Sequence, residues 1–481
     1  EEYWFNRSQG SSRNDRLHPS LSEVNAALTD IQSTSGSSNE EGLRSYIGRF
    51  NYTGFNKYLF EANFRVDGSS KFLPGSRFGF FPSAAVGWRF TEEKFIQKLT
   101  DKFLTSGKFR ASYGSLGNNS GVGRYEQQET LTNLNYVLGT AVQRGFANSK
   151  MINRFLSWET TTVLNLGLDL AFMRNRLTAA VDYYDRLTTG MNRPSEFSTF
   201  LSAAYSPAPR TNIGNLRNRG VEIDLSWKDR IGKLQYGFNL NGAFNTTNLE
   251  KWNQLLLRGN VFLEMPYQFV YAYQDNGIAQ SWADIHKNTP QGASPGDLLM
   301  KDLNGDGRIT ADDRKAYSNL QQERPTTTFS FNTYVAYKGF DFTLFLQGAA
   351  GRKDYWQTIY NNTNFGNSRY AATWEHWTNP WSWDNRDGLW PRLGGSGNNR
   401  NQTSFWLDDM SYLRVKNLQL GYTVPTKVLS RLGVTNLRIV GSAENIGTLS
   451  AFRGLDPEKQ GDDNNVYPIN KSYSLAINLS F

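Results

Sequence analysis

The chain has 481 residues, of which 14% are Trp, Tyr or Phe, with 43 Gly, three His, no Cys and a formal charge of +8. Without cysteine there is no disulfide framework, thiol catalysis or thiolate metal site, and three histidines leave no room for a histidine-rich metal centre. No run approaches the roughly 20 apolar residues of a membrane-spanning helix, the aromatic content excludes a disordered chain, and Lys and Arg are scattered among acids without a basic run, so nucleic acid is not an expected partner.

Residues 1–42, rich in Ser, Asn and Glu, read as the tail of an extracellular loop. The sequence opens at Glu1 without Met or a signal peptide, which reads as a processed form or a fragment. From residue 43 a period of two takes over. Tyr58, Phe60, Ala62, Phe64 and Val66 alternate with Glu61, Asn63, Arg65 and Asp67; Leu164, Leu166, Leu168, Leu170 and Phe172 alternate with Asn165, Gly167, Asp169 and Ala171. Val221, Ile223, Leu225 and Trp227 alternate with Glu222, Asp224 and Ser226, and the chain closes on Tyr473, Leu475, Ile477, Leu479 and Phe481 against Ser472, Ser474, Ala476, Asn478 and Ser480. Such alternation predicts about thirteen strands, near 43–53, 57–67, 82–92, 107–115, 159–173, 176–188, 219–228, 233–245, 327–338, 340–350, 411–424, 435–446 and 470–481. Between two of them, Glu92 to Leu104 places Phe95, Ile96, Leu99 and Phe103 at the spacing of an amphipathic helix.

The links decide between a sandwich and a membrane barrel, because alternation alone fits both. Links around 55–57, 174–176, 229–232 and 338–339 are short, whereas those from 117 to 158, 189 to 219, 247 to 325 and 351 to 410 are long, and the two kinds alternate. All long links then leave the same end of the sheet, as in outer-membrane barrels with tight periplasmic turns and long extracellular loops. A charge on the lipid face costs about 2 to 4 kcal/mol at the midplane, which explains why Asp, Glu and Arg keep to one phase; Arg49, Asn51, Glu61, Asn63, Arg65, Asp67, Glu222 and Asp224 are expected to face the lumen. An odd strand count leaves the two ends on opposite sides, whereas a complete barrel has an even number, so further strands are expected upstream.

Two loops carry candidate sites. Asp302 to Asp313 has the spacing of a calcium loop: Asp302, Asn304, Asp306 and Asp313 offer side-chain oxygens, Arg308 its carbonyl, Gly307 the turn. The expectation is a structural Ca2+ bracing a long loop, with Ile309 pointing inward. Further on, Trp356, Trp374, Trp377, Trp381, Trp383, Trp390 and Trp406 are seven of the 13 Trp. Aromatic platforms stack on sugars and bind peptides, although packing accounts for much of such a cluster; Trp381, Trp383 and Trp390 are the candidates for substrate contact. Glu375 beside His376 and the pair Asp408–Asp409 place no carboxylates across a substrate, and no catalytic residues are expected: the chain reads as a non-enzyme.

The motif order resembles one family. Asp67-Gly68-Ser69-Ser70-Lys71-Phe72, Arg77-Phe78-Gly79-Phe80-Phe81-Pro82-Ser83 and Gly87-Trp88-Arg89-Phe90 are followed by Trp158-Glu159-Thr160-Thr161, Asn165-Leu166-Gly167-Leu168-Asp169, Asp182-Tyr183-Tyr184 and Asn218-Arg219-Gly220-Val221-Glu222. Asn304-Gly305-Asp306-Gly307, Tyr412-Leu413-Arg414-Val415-Lys416-Asn417 and Gly454-Leu455-Asp456-Pro457-Glu458 complete the series. Over residues 43–481 it resembles the carboxy-terminal barrel portion of SusC/RagA-family TonB-dependent outer-membrane transporters of the Bacteroidetes. The resemblance implies an all-β, antiparallel transmembrane barrel of about 22 strands, of which this chain holds about thirteen, without the plug and first strands. It implies TonB-driven nutrient uptake of oligosaccharides or peptides through the outer membrane, with a SusD-like surface lipoprotein as lid, and TonB contacted through the absent amino-terminal region. The aromatic loops lean toward glycan import. The alternatives are a passive barrel or adhesin without energy coupling, and a secreted glycan-binding or glycosidase β protein.

Overall fold

Lys338 and Gly339 reverse the chain with φ of 49° and 90°, the left-handed pair whose twist matches the strands of a two-residue hairpin. Phe55 and Asn56 repeat the device with φ of 51° and 60°, as do Met173, Arg174 and Asn175 with 52°, 57° and 65°. These turns leave the flanking strands in register, Tyr337 opposite Phe340, Gly54 opposite Tyr58 and Phe172 opposite Leu177.

The computed structural model describes residues 2–13, 32–100, 103–129, 131–148, 150–195, 208–253, 262–266, 269–289, 291–321, 324–355, 378–394, 397–429, 433–452, 454, 456–458 and 469–481. Fourteen strands form one sheet: β1 (Glu2–Arg13), β2 (Gln32–Gly54), β3 (Tyr58–Ser69), β4 (Phe78–Trp88), β5 (Leu104–Asn118), β6 (Glu159–Phe172), β7 (Leu177–Pro194), β8 (Arg210–Ile231), β9 (Leu234–Trp252), β10 (Thr327–Tyr337), β11 (Phe340–Ala350), β12 (Tyr412–Thr423), β13 (Asn436–Ser450) and β14 (Ser472–Ser480). Each is antiparallel to its chain neighbour, and β1 and β14 are the edges.

All thirteen expected strands are present, and the fourteenth is β1. The expectation of a loop over 1–42 does not hold at its described residues: Glu2–Arg13 pairs with β2, from Glu2 opposite Leu43 to Arg13 opposite Gln32. Its Ser- and Gly-rich sequence has no apolar alternation, so backbone pairing to the extended start of β2 has to hold it. The expected helix is found at Lys94–Thr100. No helix among the described residues is long and apolar enough to cross a membrane.

The two sheet faces differ as the alternation predicts. Phe64 lies opposite both Gly48 and Pro82, and Trp88 opposite Tyr58 and Phe109. On this apolar face Phe50, Phe64, Phe80, Tyr113, Leu475 and Ile477 are all exposed, a surface no water-soluble sandwich leaves uncovered. The other face is polar. Links 55–57, 89–103, 173–176, 232–233, 338–339 and 424–435 leave one end of the sheet; 14–31, 70–77, 119–158, 195–209, 253–326, 351–411 and 451–471 leave the other. The larger links at that second end carry their own strand pairs, including Phe269–Tyr273 with Arg314–Gln321 and Lys353–Tyr355 with Leu407–Asp409.

Candidate functional site

The polar face is cross-linked by charge. Arg110 of β5 donates to both oxygens of Asp169 on β6 at 2.8 Å and to Asp182 on β7 at 2.9 Å. Arg49 meets Glu61 at 2.6 Å, Arg65 meets Asp67 at 2.6 Å and Arg438 meets Asp341 at 2.7 Å. Asn239 donates to Asp224 at 3.1 Å, and Asn241 to Asn239 at 2.6 Å. Between these pairs a recess of about 510 Å³ is lined by Asp182, Glu222, Asp224, Asn241, Ser330 and Gln347. Arg110, Arg49 and Arg438 tie nearby strands through carboxylates, while at the recess Glu222 lies opposite Asp182 and the lining is acidic. The residues expected to face the lumen do share this face, Arg49 opposite Asn63, Asn51 opposite Glu61 and Asp224 opposite Asn241.

At the long-link end, links 253–326 and 351–411 pack into one cap. Val270, Ala272, Leu298, Trp390 and Trp406 form its core, with Phe405 and Phe452 against them. Trp390 and Trp406 stack at 6.0 Å between ring centres, and Phe405 meets Trp406 edge-on at 4.9 Å. Gly296 takes φ of 89°, where a Cβ would overlap the Trp381 ring, so the chain passes close beneath that indole. Beside it, Asp297 is fully buried and accepts from Arg392 at 2.8 Å, from Asn399 at 3.1 Å and from the Ser294 N–H at 2.8 Å. A third link joins in: buried Arg414 donates to Asp456 and Glu458, each at 2.6 Å, and Lys416 reaches Glu458 at 3.0 Å. Two of the motifs quoted above thus meet as an ion-pair network.

The tryptophan expectations divide. Trp390 is 2% and Trp381 4% exposed, which corrects their reading as substrate platforms: an indole with both faces packed cannot stack on a sugar or peptide. Trp381 spends its N–H on Gln280 at 2.9 Å. Trp383 is 58% exposed, edge-on to Trp381 at 5.2 Å, with the Arg386 guanidinium 5.2 Å from its ring centre. Only Trp383 of the three presents a surface. Trp356, Trp374 and Trp377 lie outside the described residues, as do Glu375 and His376.

The expected calcium loop closes on itself. Asp302 accepts from Gly305 N at 2.7 Å and Gly307 N at 2.9 Å; Asn304 accepts from Asp306 N, and Asp306 from Arg308 N at 2.8 Å. Gly305 and Gly307 take φ of 75° and 78°, Gly307 being the turn glycine of the spacing. Asp313 differs from the other ligand candidates in its burial. Buried, it accepts from Leu303 N at 2.9 Å and Thr310 N at 2.7 Å, and these N–H donors, with that of Thr310 foremost, hold its carboxyl below the usual range. All four side chains of the spacing thus accept backbone N–H groups of the loop itself. Among the described residues no three His, Asp or Glu converge as a metal cluster.

Sequence reasoning missed Asp297, Arg392 and Asn399, whose partners lie about a hundred positions away. The one local sign was glycine beside proline and tryptophan, at Pro295-Gly296 and Gly388-Leu389-Trp390-Pro391.

No family model matches the chain. In sequence it is 30% identical to TonB-dependent receptor P3 of Formosa agariphila over 92% of its length, and 28% identical to TonB-dependent receptor SusC of Bacteroides thetaiotaomicron over 91%. It covers 46% and 44% of those two proteins, so it spans about half the length of the curated relatives it matches. In structure its whole length superposes on 52% of a chain of the RagAB peptide transporter, with a TM-score of 0.79 at 23% identity. The resemblance read from the motifs therefore holds: in sequence the chain is similar to about half of a SusC-like TonB-dependent receptor, and in structure it shares the β-barrel fold of the RagAB transporter chain.

Proposed function

We propose that the protein to which this chain belongs is an outer-membrane importer, driven by TonB, that takes up oligosaccharides or peptides with a SusD-like surface lipoprotein as its lid. The carrying observation is the pairing of an ion-pair-braced polar face with a packed cap of long links at one end only. A passive barrel also has a polar lining and long loops; the similarity to TonB-dependent receptors favours the energised reading. The apolar face opposite supports a place in outer-membrane lipid, and the similarity to SusC supports the lipoprotein partner. On this reading the chain is not an enzyme: it supplies barrel wall and capture surface, with Trp383 and Arg386 as the contact pair on the cap.

The test is uptake of labelled oligosaccharide and peptide mixtures by whole cells, with the gene deleted and restored, beside native mass spectrometry of the detergent-extracted protein. Loss of uptake on deletion, its abolition by a protonophore and a stoichiometric lipoprotein support the reading. Unchanged uptake with a lone chain overturns it. Which cargo class disappears decides between glycan and peptide.

We further propose that Asp302, Asn304, Asp306, Asp313 and the Arg308 carbonyl hold Ca2+, Asp313 from the buried side of the loop. The positive-φ turns at Gly305 and Gly307 favour this reading. A midpoint of thermal unfolding unmoved between millimolar Ca2+ and EGTA removes it.

A further inference from the structure

The segment between β4 and β5 does not hang free at the short-link end; it folds back over the apolar face. Glu93, buried, sits against that face, accepting from Tyr58 Oη at 2.5 Å and Trp88 Nε1 at 3.3 Å, two side chains of the apolar phase. Lys57, from the neighbouring turn, closes the site at 2.6 Å. The turn and the segment are stitched further by Arg89, whose N–H donates to the Lys57 carbonyl and whose guanidinium donates to the Asn56 carbonyl at 3.0 Å. Phe90 stands edge-on to Trp88 at 5.9 Å and covers Gly107, where a Cβ would overlap its ring. At the far end of the segment, Phe103 packs on Phe172 at 5.1 Å.

This arrangement leaves three aromatic rings largely exposed at the rim. Phe95, on the helix Lys94–Thr100, is 64% exposed, and Phe103 and Phe55 at the same rim are also exposed. Lys94, also exposed, stands one residue from Phe95. Aromatic rings beside an ammonium group, at the margin of an apolar band, match the chemistry of a phospholipid headgroup layer. A buried, triply bonded carboxylate holds them there rather than leaving them to a mobile loop.

We propose that residues 89–97, with Phe103, make a membrane-interface belt: clamped by Glu93 to the apolar face, it seats Phe95, Phe103 and Phe55 in the headgroup layer of the leaflet at the short-link rim. The inference rests on the membrane-spanning reading and goes beyond it, because it assigns lipid contact to a link and not to a strand. Phospholipid is the occupant that continuity selects, since the segment is joined to the apolar face through Tyr58, Trp88 and Phe172.

This cysteine-free stretch lends itself to single nitroxide labels in the full-length protein reconstituted into phosphatidylethanolamine–phosphatidylglycerol vesicles. The sites are Phe95→Cys, Phe103→Cys, Phe64→Cys in the middle of β3 and Trp383→Cys on the cap. Phe95 and Phe103 labels are expected to collide freely with oxygen, and with a water-soluble nickel chelate at least about fivefold less than the Trp383 label. Adding Glu93→Gln to Phe95→Cys is expected to raise chelate collision about threefold, as the clamp opens. Chelate access at Phe95 equal to that at Trp383, with Phe64 protected, overturns the belt alone. Exclusion of both reagents at Phe95 overturns it too, because that shows a protein covering. Free chelate access at Phe64 overturns the membrane-spanning reading itself.

Discussion

Arg392 and Asp297 meet through two hydrogen bonds, Nε to Oδ1 at 2.8 Å and Nη2 to Oδ2 at 3.2 Å, although they belong to different links. The carboxylate is fully buried while the guanidinium keeps about a third of its surface, 33%. A paired fork of this kind fixes angle as well as distance, so it sets how one link lies on the other.

Removing the guanidinium strands a buried charge. Arg392→Leu is expected to destabilise the cap by about 3 kcal/mol, the low end for a broken buried pair because one partner is part-exposed. Hydrogen exchange should quicken in 291–300 and 378–409 and stay unchanged in β6 to β9.

The clamp at the short-link rim depends on acid. Lys57 foremost, with Tyr58 and Trp88 also donating, holds the Glu93 carboxyl below its ordinary range. A depressed carboxylate adds stability that is complete above its unfolded pKa, about 4.3, and is lost as pH falls through the folded value. Exchange protection at 89–97 should therefore hold at neutral pH and fall below about pH 4. Glu93→Gln should remove that pH dependence and leave the segment open at pH 7.

The sheet phase can be checked with one pair of substitutions. Leu166→Arg places a charge on the apolar face and is expected to cost about 2 to 4 kcal/mol. Asn165→Arg, one residue away on the polar face, should cost under about 1 kcal/mol. Urea unfolding in lipid vesicles reads the difference; equal costs would mean that the two faces are wrongly assigned.

Trp390 and Trp383 should separate folding from capture. Trp390→Ala opens a cavity in the cap core and is expected to cost about 3 to 5 kcal/mol, seen as protease cutting within 253–326 and 351–411. Trp383→Ala should leave proteolysis unchanged and weaken cargo binding by roughly tenfold, the size of one lost aromatic stack. Equal proteolysis in both variants would argue that Trp383 packs rather than binds.

The sheet was legible in the sequence because its signals are local. Leu164 to Phe172 declares its own faces, and a turn such as Lys338-Gly339 joins strands that are neighbours in the chain. The cap was not legible for the opposite reason. Tryptophan looks the same in a sequence whether its ring is packed or presented; what buries Trp390 is Val270 and Leu298, brought close only after folding. Asp313 shows a subtler limit. Its place in the calcium-loop spacing is also the third position of a capped turn starting at Thr310, and the structure uses it for that turn. In β1, pairing rests on the backbone of Gln32–Ser38, which has no side-chain periodicity to announce it.

The strictly sequential order of the fourteen strands bears on how the protein is made. Since every partner is the next strand along, the wall can be laid down one hairpin at a time, and the loop-closure entropy of each step is that of a single link. The cap is different: Asp297 waits for Arg392, and Arg414 for Asp456, so it can lock only after β10 to β13 have been placed between them. The cap therefore locks late, and a chain stalled midway carries strands of the wall without the contacts that join its long links.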